Sequence, residues 1–339
     1  MGDRLAAPRR HGHPLQRRAA LALLGGAAAW PIAVRAQQSA LPMVGFLNPR
    51  SPARGAAVAA AFRQGLSDAG YDDGRNVAVE YGWADDQYDR LPALAAGLIA
   101  RGVKVIVAGG GSWVAAKGAS DTLPIVFTTG LDPVRTGMVK SLNRPEGNLT
   151  GATFYSGGAL VAKQMELLRE LVPNLGVLAL LSHPSSPSAA PQQADAEAAA
   201  RKNGVELRVV KVVDAGDLDR AYSSLAQPRV DALLLSVDPF FDSRPDQVVA
   251  RAAKARIPTL YYIREFVDAG GLIAYGASIL ETYRQAGRYA GRILGGAKPA
   301  DLPVVQPTRF ELVINLKTAK TLGLAIPPTL LARADAVIE

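Results

Sequence analysis

The sequence predicts an α/β protein made of two doubly wound parallel-sheet lobes. Three observations carry this. The chain has 339 residues, 49% of them hydrophobic and 20% charged, enough apolar material for two cores. Short β-branched or apolar runs alternate with longer Ala/Leu-rich segments of helical period, the pattern of a parallel sheet covered by helices. The alternation then starts afresh near residue 177, and one open sheet of ten or more strands is uncommon, so a second sheet is the simpler solution.

In order, the strands of the first series are expected at 43–48, 76–83, 103–108, 125–129 and 149–154, where Val, Ile and Phe cluster between Gly, Pro and Asp punctuation. Helices are expected between them at 56–69, 88–101, 113–120 and 135–142. The second series places strands at 177–182, 205–213, 232–237, 259–263 and 272–275. Its helices fall at 189–203, 218–225, 247–255 and 280–294, and a strand at 310–314 with a helix at 315–322 closes the chain.

The net charge of +8 is unevenly placed. Residues 1–36 hold six arginines against Asp3 alone, which leaves 32 basic and 29 acidic residues elsewhere, too even a balance for a nucleic-acid surface. Within that segment, Arg17-Arg18, an apolar run from Ala19 to Trp30 and Val34-Arg35-Ala36 have the layout of a secretory signal peptide cleaved near Ala36. The arginine pair also suits twin-arginine export. A periplasmic, monomeric product is expected. The run is shorter than the ~20 residues that span a bilayer as a helix.

Two lobes imply a cleft, and ligands of such sheets sit beyond the carboxyl ends of the strands. The loops there are 48–54, 109–113, 130–132, 155–159, 183–188, 238–243 and 264–265. They are rich in Gly, Ser, Asp and aromatics, which serve recognition and turns alike. The chemistry for catalysis is thin. There is no cysteine, His183 is the one histidine beyond the N-terminal segment, and Gly110-Gly111-Ser112-Trp113-Val114 lacks the last glycine of a nucleophile elbow. Val114 also stands where a dinucleotide loop has its third glycine. The spacing of Asp214, Asp217 and Asp219 is wrong for calcium. No cofactor, metal or nucleic-acid partner is expected. A binding protein is the first reading. A secreted hydrolase or isomerase using Asp132, Asp238 or His183, and a ligand-binding sensor subunit, are the alternatives.

Several stretches go further. Met43-Val44-Gly45-Phe46-Leu47, Pro124-Ile125-Val126-Phe127 with Asp132-Pro133-Val134, and Asn143-Arg144-Pro145-Glu146-Gly147-Asn148-Leu149-Thr150-Gly151 form one set. Gly296-Ala297-Lys298-Pro299-Ala300-Asp301-Leu302-Pro303-Val304 and Phe310-Glu311-Leu312-Val313-Ile314-Asn315 complete it. Through them the chain resembles the substrate-binding proteins of ABC transporters, in the branch that binds tryptophan and other aromatic amino acids. The resemblance implies a type I periplasmic binding fold with a three-crossing hinge, a small organic solute clamped by hinge closure, and delivery to a membrane permease with its ATPase. The lobes are then expected at 41–152 with 271–306 and at 153–270 with 307–339, with crossings near Thr153, Gly271 and Pro307.

Carried over by position, the resemblance implies contacts from Asn48, Ser51, Gly111, Ser112 and Asp132 on one lobe. Phe154 and Tyr155 lie near the first crossing, and Ser182, Ser185, Asp238, Phe240 and Glu265 on the other lobe. Asp238 suits an ammonium group, and Ser112 with the amides that open the next helix suits a carboxylate. Phe240, Phe154 or Trp113 suits a flat apolar body. The first loop departs from the histidine-proline of aromatic-binding members and reads Asn48-Pro49-Arg50-Ser51-Pro52. Either Arg50 or Arg54 meets a carboxylate ligand there, or both lie exposed on the helix that follows.

Overall fold

A computed structural model of the chain describes residues 2, 41–154, 157–226 and 228–339. The segment read as a signal peptide, and Tyr155, lie outside the described residues. Pro42–Glu339 form one body built on two sheets.

The first sheet has the order β2-β1-β3-β4-β5, all parallel, from β1 (Met43–Asn48), β2 (Ala78–Trp83), β3 (Val105–Gly109), β4 (Ile125–Thr129) and β5 (Leu149–Thr153). β3 and β4 are buried along their whole length while edge strand β2 is mostly half-buried. This is why VIVAG and IVFTT read as unbroken apolar runs and AVEYGW does not. Helices α1 (Ala56–Asp68), α2 (Leu91–Ala100) and α3 (Ser112–Ala119) connect the strands.

The second sheet begins with β6 (Val177–Ser182), β7 (Glu206–Lys211), β8 (Ala232–Leu235), β9 (Thr259–Tyr261) and β10 (Ile273–Gly276). Their order, β7-β6-β8-β9-β10, repeats the winding of the first sheet. Between them run α4 (Gly158–Leu171, before β6), α5 (Ala189–Lys202), α6 (Asp217–Ser224), α7 (Pro239–Asp242), α8 (Pro245–Ala255) and α9 (Glu265–Asp268). Beyond β10 the sheet gains β11 (Glu311–Asn315), antiparallel to β10, and β12 (Ala336–Ile338), parallel to β11. The long α10 (Ile279–Leu294) follows β10, and α11 (Leu316–Leu322) and α12 (Pro328–Leu331) join the last two strands.

Although it leaves the second sheet, α10 packs on the first lobe, face to face with α1. A Cβ on Gly65 would fall 1.8 Å from the Arg284 carbonyl oxygen, and one on Gly287 2.1 Å from that of Phe62. The two glycines let the helix backbones touch.

The chain passes between sheets three times. It leaves the first after Thr153, returns after Gly276, and leaves again after Val305, which pairs with β5 through Thr153 N–H (2.9 Å) and Gly151 O (3.0 Å). Because Ile273–Gly276 is a strand of the second sheet, the second crossing falls at Ala277–Ser278, several residues beyond the expected Gly271.

Other local expectations also change. Residues 135–142 form turns rather than a helix: the Asp132 carboxylate accepts the Val134 and Arg135 amides (3.0 and 3.1 Å), and Gly137 adopts a left-handed φ of 72°. α4, α7, α9, α12 and β12 are elements the sequence pattern leaves unassigned, α7 falling in the expected loop 238–243.

Candidate functional site

In each lobe the strand order reverses at one point, between β1 and β3 in the first and between β6 and β8 in the second. The loops leaving those strands face each other across the cleft, and small residues let them meet. A Cβ on Gly110 would stand 2.6 Å from Pro239 Cγ, one on Gly111 2.6 Å from Pro187 Cδ, and one on Gly130 2.6 Å from Val237 Cγ1. The lobes are shut on one another.

Four sets of polar contacts cross the cleft. Arg50, from the loop after β1, donates Nε (3.0 Å) and Nη2 (2.5 Å) to Oδ1 of Asp242 at the end of α7. Both side chains are 4% exposed. Its Nη1 donates to the Tyr283 hydroxyl at 3.3 Å, and that hydroxyl also accepts Asn48 Nδ2 at 2.8 Å. Tyr88 donates to both oxygens of Asp238, 3.0 Å from each. Arg244 reaches back to Asp86, which also takes Arg54 at 2.8 Å. Arg135 and Asp195 form a two-pronged pair at 2.5 and 2.7 Å.

Local structure fixes the second-lobe acids. Asp238 caps the short α7 by accepting the Phe240 amide at 2.8 Å, and Pro239 follows in the first turn. Its carbonyl accepts the Tyr262 hydroxyl at 3.1 Å. Next to it the Gln192 side-chain amide donates Nε2 to the Val237 carbonyl at 2.8 Å and accepts the Val237 amide on Oε1 at 2.6 Å. The loop bearing both aspartates is thereby tied to the end of β9 and to α5.

Burial dominates the electrostatics. It pushes the Asp242 carboxyl up to about 6 although the Arg50 cation works against it. It raises Asp238 as well, against His183, Ser186, the Phe240 amide and Tyr88. Burial alone lowers the Arg50 guanidinium, but Asp242 and Tyr283 outweigh this and hold it above its ordinary value. The Tyr88 hydroxyl is raised far out of range by burial and by Asp238. Arg50 is thus a permanent cation facing carboxylates whose charge is costly to keep.

The residues expected at the site divide into those that line the cleft and those that do not. Asn48 is fully buried and orients Tyr283. Gly111 is at the lobe contact, and Ser112 is fully buried at the start of α3 with its hydroxyl unpartnered. Phe154 lies against Gly130, and Ser182 is buried at the end of β6. Asp238 is bonded across the cleft, and Phe240 is packed under Arg244, whose guanidinium carbon is 4.1 Å from the ring centre, and beside His183 at 5.0 Å.

Ser51 supports the turn into α1, its carbonyl accepting the Gly55 amide at 2.8 Å, and Asp132 is occupied by its own turn. Ser185 is exposed at the cleft mouth. Glu265 is exposed at the start of α9 and acts on Asp242 only as a like charge.

Sequence reasoning did not select Tyr88, Asp242, Arg244 or Tyr283. The two arginines of the first loop also separate: Arg50 is buried in the cleft before the helix begins, while Arg54 is half-exposed on Asp86.

The cavity left between Arg50, Gly130, Phe154, Val237, Asp242 and Tyr283 measures about 20 Å³. One water occupies roughly 10–15 Å³ on this measure, so an organic solute enters only when the lobes part. Larger openings remain at the lobe boundary, one of them, about 450 Å³, beside the crossing segments at Thr153, residues 276–278 and Pro307, and two at the cleft. One of about 530 Å³ is bounded by Tyr88, His183 and Arg244, and one of about 580 Å³ by Trp113, Arg135 and Pro187. Among the described residues no group of three His, Asp or Glu is placed to hold a metal ion.

Comparison with known proteins agrees with this architecture. Residues 50–338 match the family model described as ABC transporter substrate binding protein. The chain is 28% identical over 264 residues to the "Tyrosine-binding protein" of Clostridioides difficile, covering 78% of this chain and 75% of that one. It superposes with a TM-score of 0.79 on the crystal structure of an ABC domain in complex with L-Trp from Streptococcus pneumonia (25% identity; 88% and 100% of the two chains). A conserved domain protein of Vibrio cholerae gives a TM-score of 0.80 (26% identity; 87% and 99%). With two lobes wound alike, a triple crossing and a polar cleft at the strand ends, the chain belongs to the ABC transporter substrate binding proteins, solute receptors of the type I periplasmic fold.

Proposed function

We propose that this receptor binds an α-amino acid, clamps it between the lobes outside the cytoplasm and, as a monomer, hands it to an inner-membrane permease and its ATPase. The observation that supports this most is the meeting of cationic and anionic side chains from opposite lobes at the strand ends, in a cleft closed down to one water's space. Such a cleft offers each end of a zwitterion an opposite charge. The relatives described as tyrosine-binding and as holding L-Trp favour an aromatic side chain.

The first lobe offers a carboxylate the Ser112 hydroxyl and the amides that open α3, where the helix dipole favours negative charge. The second lobe offers an ammonium group its buried carboxylates. Phe154 and Trp113, beside the cleft, give a flat side chain apolar surface. Closure then follows from a ligand that contacts both lobes at once.

Calorimetric titration with the twenty L-amino acids tests this reading. Saturable one-to-one binding of one or a few, recovered unchanged, supports it; heats at the dilution level for all twenty, or turnover of the ligand, refute it.

A further inference from the structure

In the closed form a cation and an anion from different lobes, Arg50 and Asp242, touch at the strand ends where a ligand of this fold sits. The pair is buried, and each member loses its hydration when the lobes shut. The cavity beside it is too small for any amino acid. Admitting a solute separates the lobes and breaks this pair, leaving Arg50 on one wall with Tyr283 and Asn48, and Asp242 on the other with Asp238.

Resting on the reading given under Proposed function, we propose that Arg50 and Asp242 are the specificity-determining readers of the ligand's two charged ends. In the shut lobes Asp242 takes the place of the ligand's carboxylate and Arg50 that of its ammonium group.

Charge balance favours a zwitterion. A solute with only a carboxylate satisfies Arg50 and leaves Asp242 buried without a cation. One with only an amine does the reverse. Either case leaves a buried charge uncompensated, which is costly. A zwitterion answers both and adds no net charge. Because the two side chains already touch, the ligand that replaces their contact with the smallest separation of the lobes carries both charges on one carbon.

Arg50 suits the carboxylate because two of its nitrogens already grip one carboxylate oxygen, and the Tyr283 hydroxyl holds the third in place. Asp242 suits the ammonium because its carboxylate is bonded by Arg50 across the cleft and is released when the lobes part, whereas Asp238 keeps the Phe240 amide of its own lobe.

The test is calorimetry on the intact protein and on Arg50→Gln and Asp242→Asn. The probes are the L-amino acid that the wild type binds most tightly, its decarboxylated amine and its deaminated acid. R50Q is expected to weaken the amino acid about 100-fold, the cost of leaving one buried charge without its partner, and to tighten the amine, which then pairs with Asp242 and leaves no buried cation unanswered. D242N mirrors this, weakening the amino acid by a similar factor and tightening the deaminated acid, which then leaves no buried carboxylate unanswered. Arg50→Lys keeps the charge without the fork, guards against a misfolded variant, and is expected to fall between.

If R50Q and D242N bind the amino acid within threefold of wild type, or more tightly, the pair is only a latch between the lobes and the proposal is overturned while the receptor reading stands. If the wild type binds none of the amino acids, the amino-acid reading itself is refuted and the proposal with it.

Discussion

The Tyr88 hydroxyl, carried by the first lobe, lies 3.0 Å from each carboxylate oxygen of Asp238 in the second; Asp238 is buried and Tyr88 half-buried. This contact exists only while the lobes are together. Tyr88→Phe deletes the donor and leaves Asp238 with fewer partners in a buried position. The closed form is expected to lose about 1.5–3 kcal/mol, the worth of a hydrogen bond to a charged group. Small-angle scattering is the check: ligand-free Y88F should show a larger radius of gyration than the wild type, with the unfolding midpoint of the lobes nearly unchanged.

Glycine at the lobe contact gives a second expectation. Gly111 has an ordinary φ of −82°, so alanine is tolerated by the backbone, yet its Cβ would press on Pro187 across the cleft at 2.6 Å. Gly130 faces Val237 at the same distance. Gly111→Ala and Gly130→Ala are expected to hold the lobes ajar and oppose full closure by about 1–3 kcal/mol, the usual cost of overpacking. Scattering curves that match the wild type would show that the cleft yields without opening.

Elsewhere glycines divide into two kinds by what surrounds them. Gly65 and Gly287 lie at the backbone contact of α1 and α10, so alanine at either should cost about 3 kcal/mol or more in thermal unfolding, among the larger single-site losses. Gly97 and Gly118 sit within α2 and α3, and a Cβ at either would meet nothing within 4 Å. Alanine there should stabilise by about 0.5–1 kcal/mol through helix propensity and lost unfolded-state freedom.

Acidity supplies a further check. Asp242 has its carboxyl at about 6 in the folded protein against 3.8 ordinarily, so between those values the native state holds more protons than the unfolded one. Its contribution to stability is therefore present in full below about pH 4 and is lost as pH rises through about 6. Arg50 opposes this rise, and the like charges of Asp238 and Glu265 reinforce it. The difference in unfolding free energy between wild type and Asp242→Asn, measured from pH 4 to 7, should fall with rising pH. A flat difference curve would mean that burial does not raise this carboxyl.

Much of the fold is legible in the sequence because parallel strands buried on both faces have to be continuous β-branched runs, as in Val105–Gly109 and Ile125–Thr129. α4 is harder to find: its apolar positions follow the helical period, but Gly157 and Gly158 open it without a capping side chain. The turn at 135–142 misleads in the opposite direction, since Asp132 satisfies the amides that a helix would have used.

The site is legible only as places. Strand-end rules mark the loops 48–54, 109–113 and 238–243, and the family resemblance singles out Asn48, Ser112 and Asp238 within them and Phe154 just after β5. They miss that Arg50 meets Asp242, 192 residues away, and that Tyr283 arrives on a helix borrowed from beyond the second sheet. No periodicity encodes a partner across a hinge.

The most direct test of the account is a calorimetric titration of the ligand-free protein with L-tyrosine, L-tryptophan and the remaining L-amino acids, with the ligand analysed afterwards. Saturable one-to-one binding of an amino acid that is recovered intact is the expected result. Absence of binding across the whole set, or conversion of the ligand to product, would contradict it.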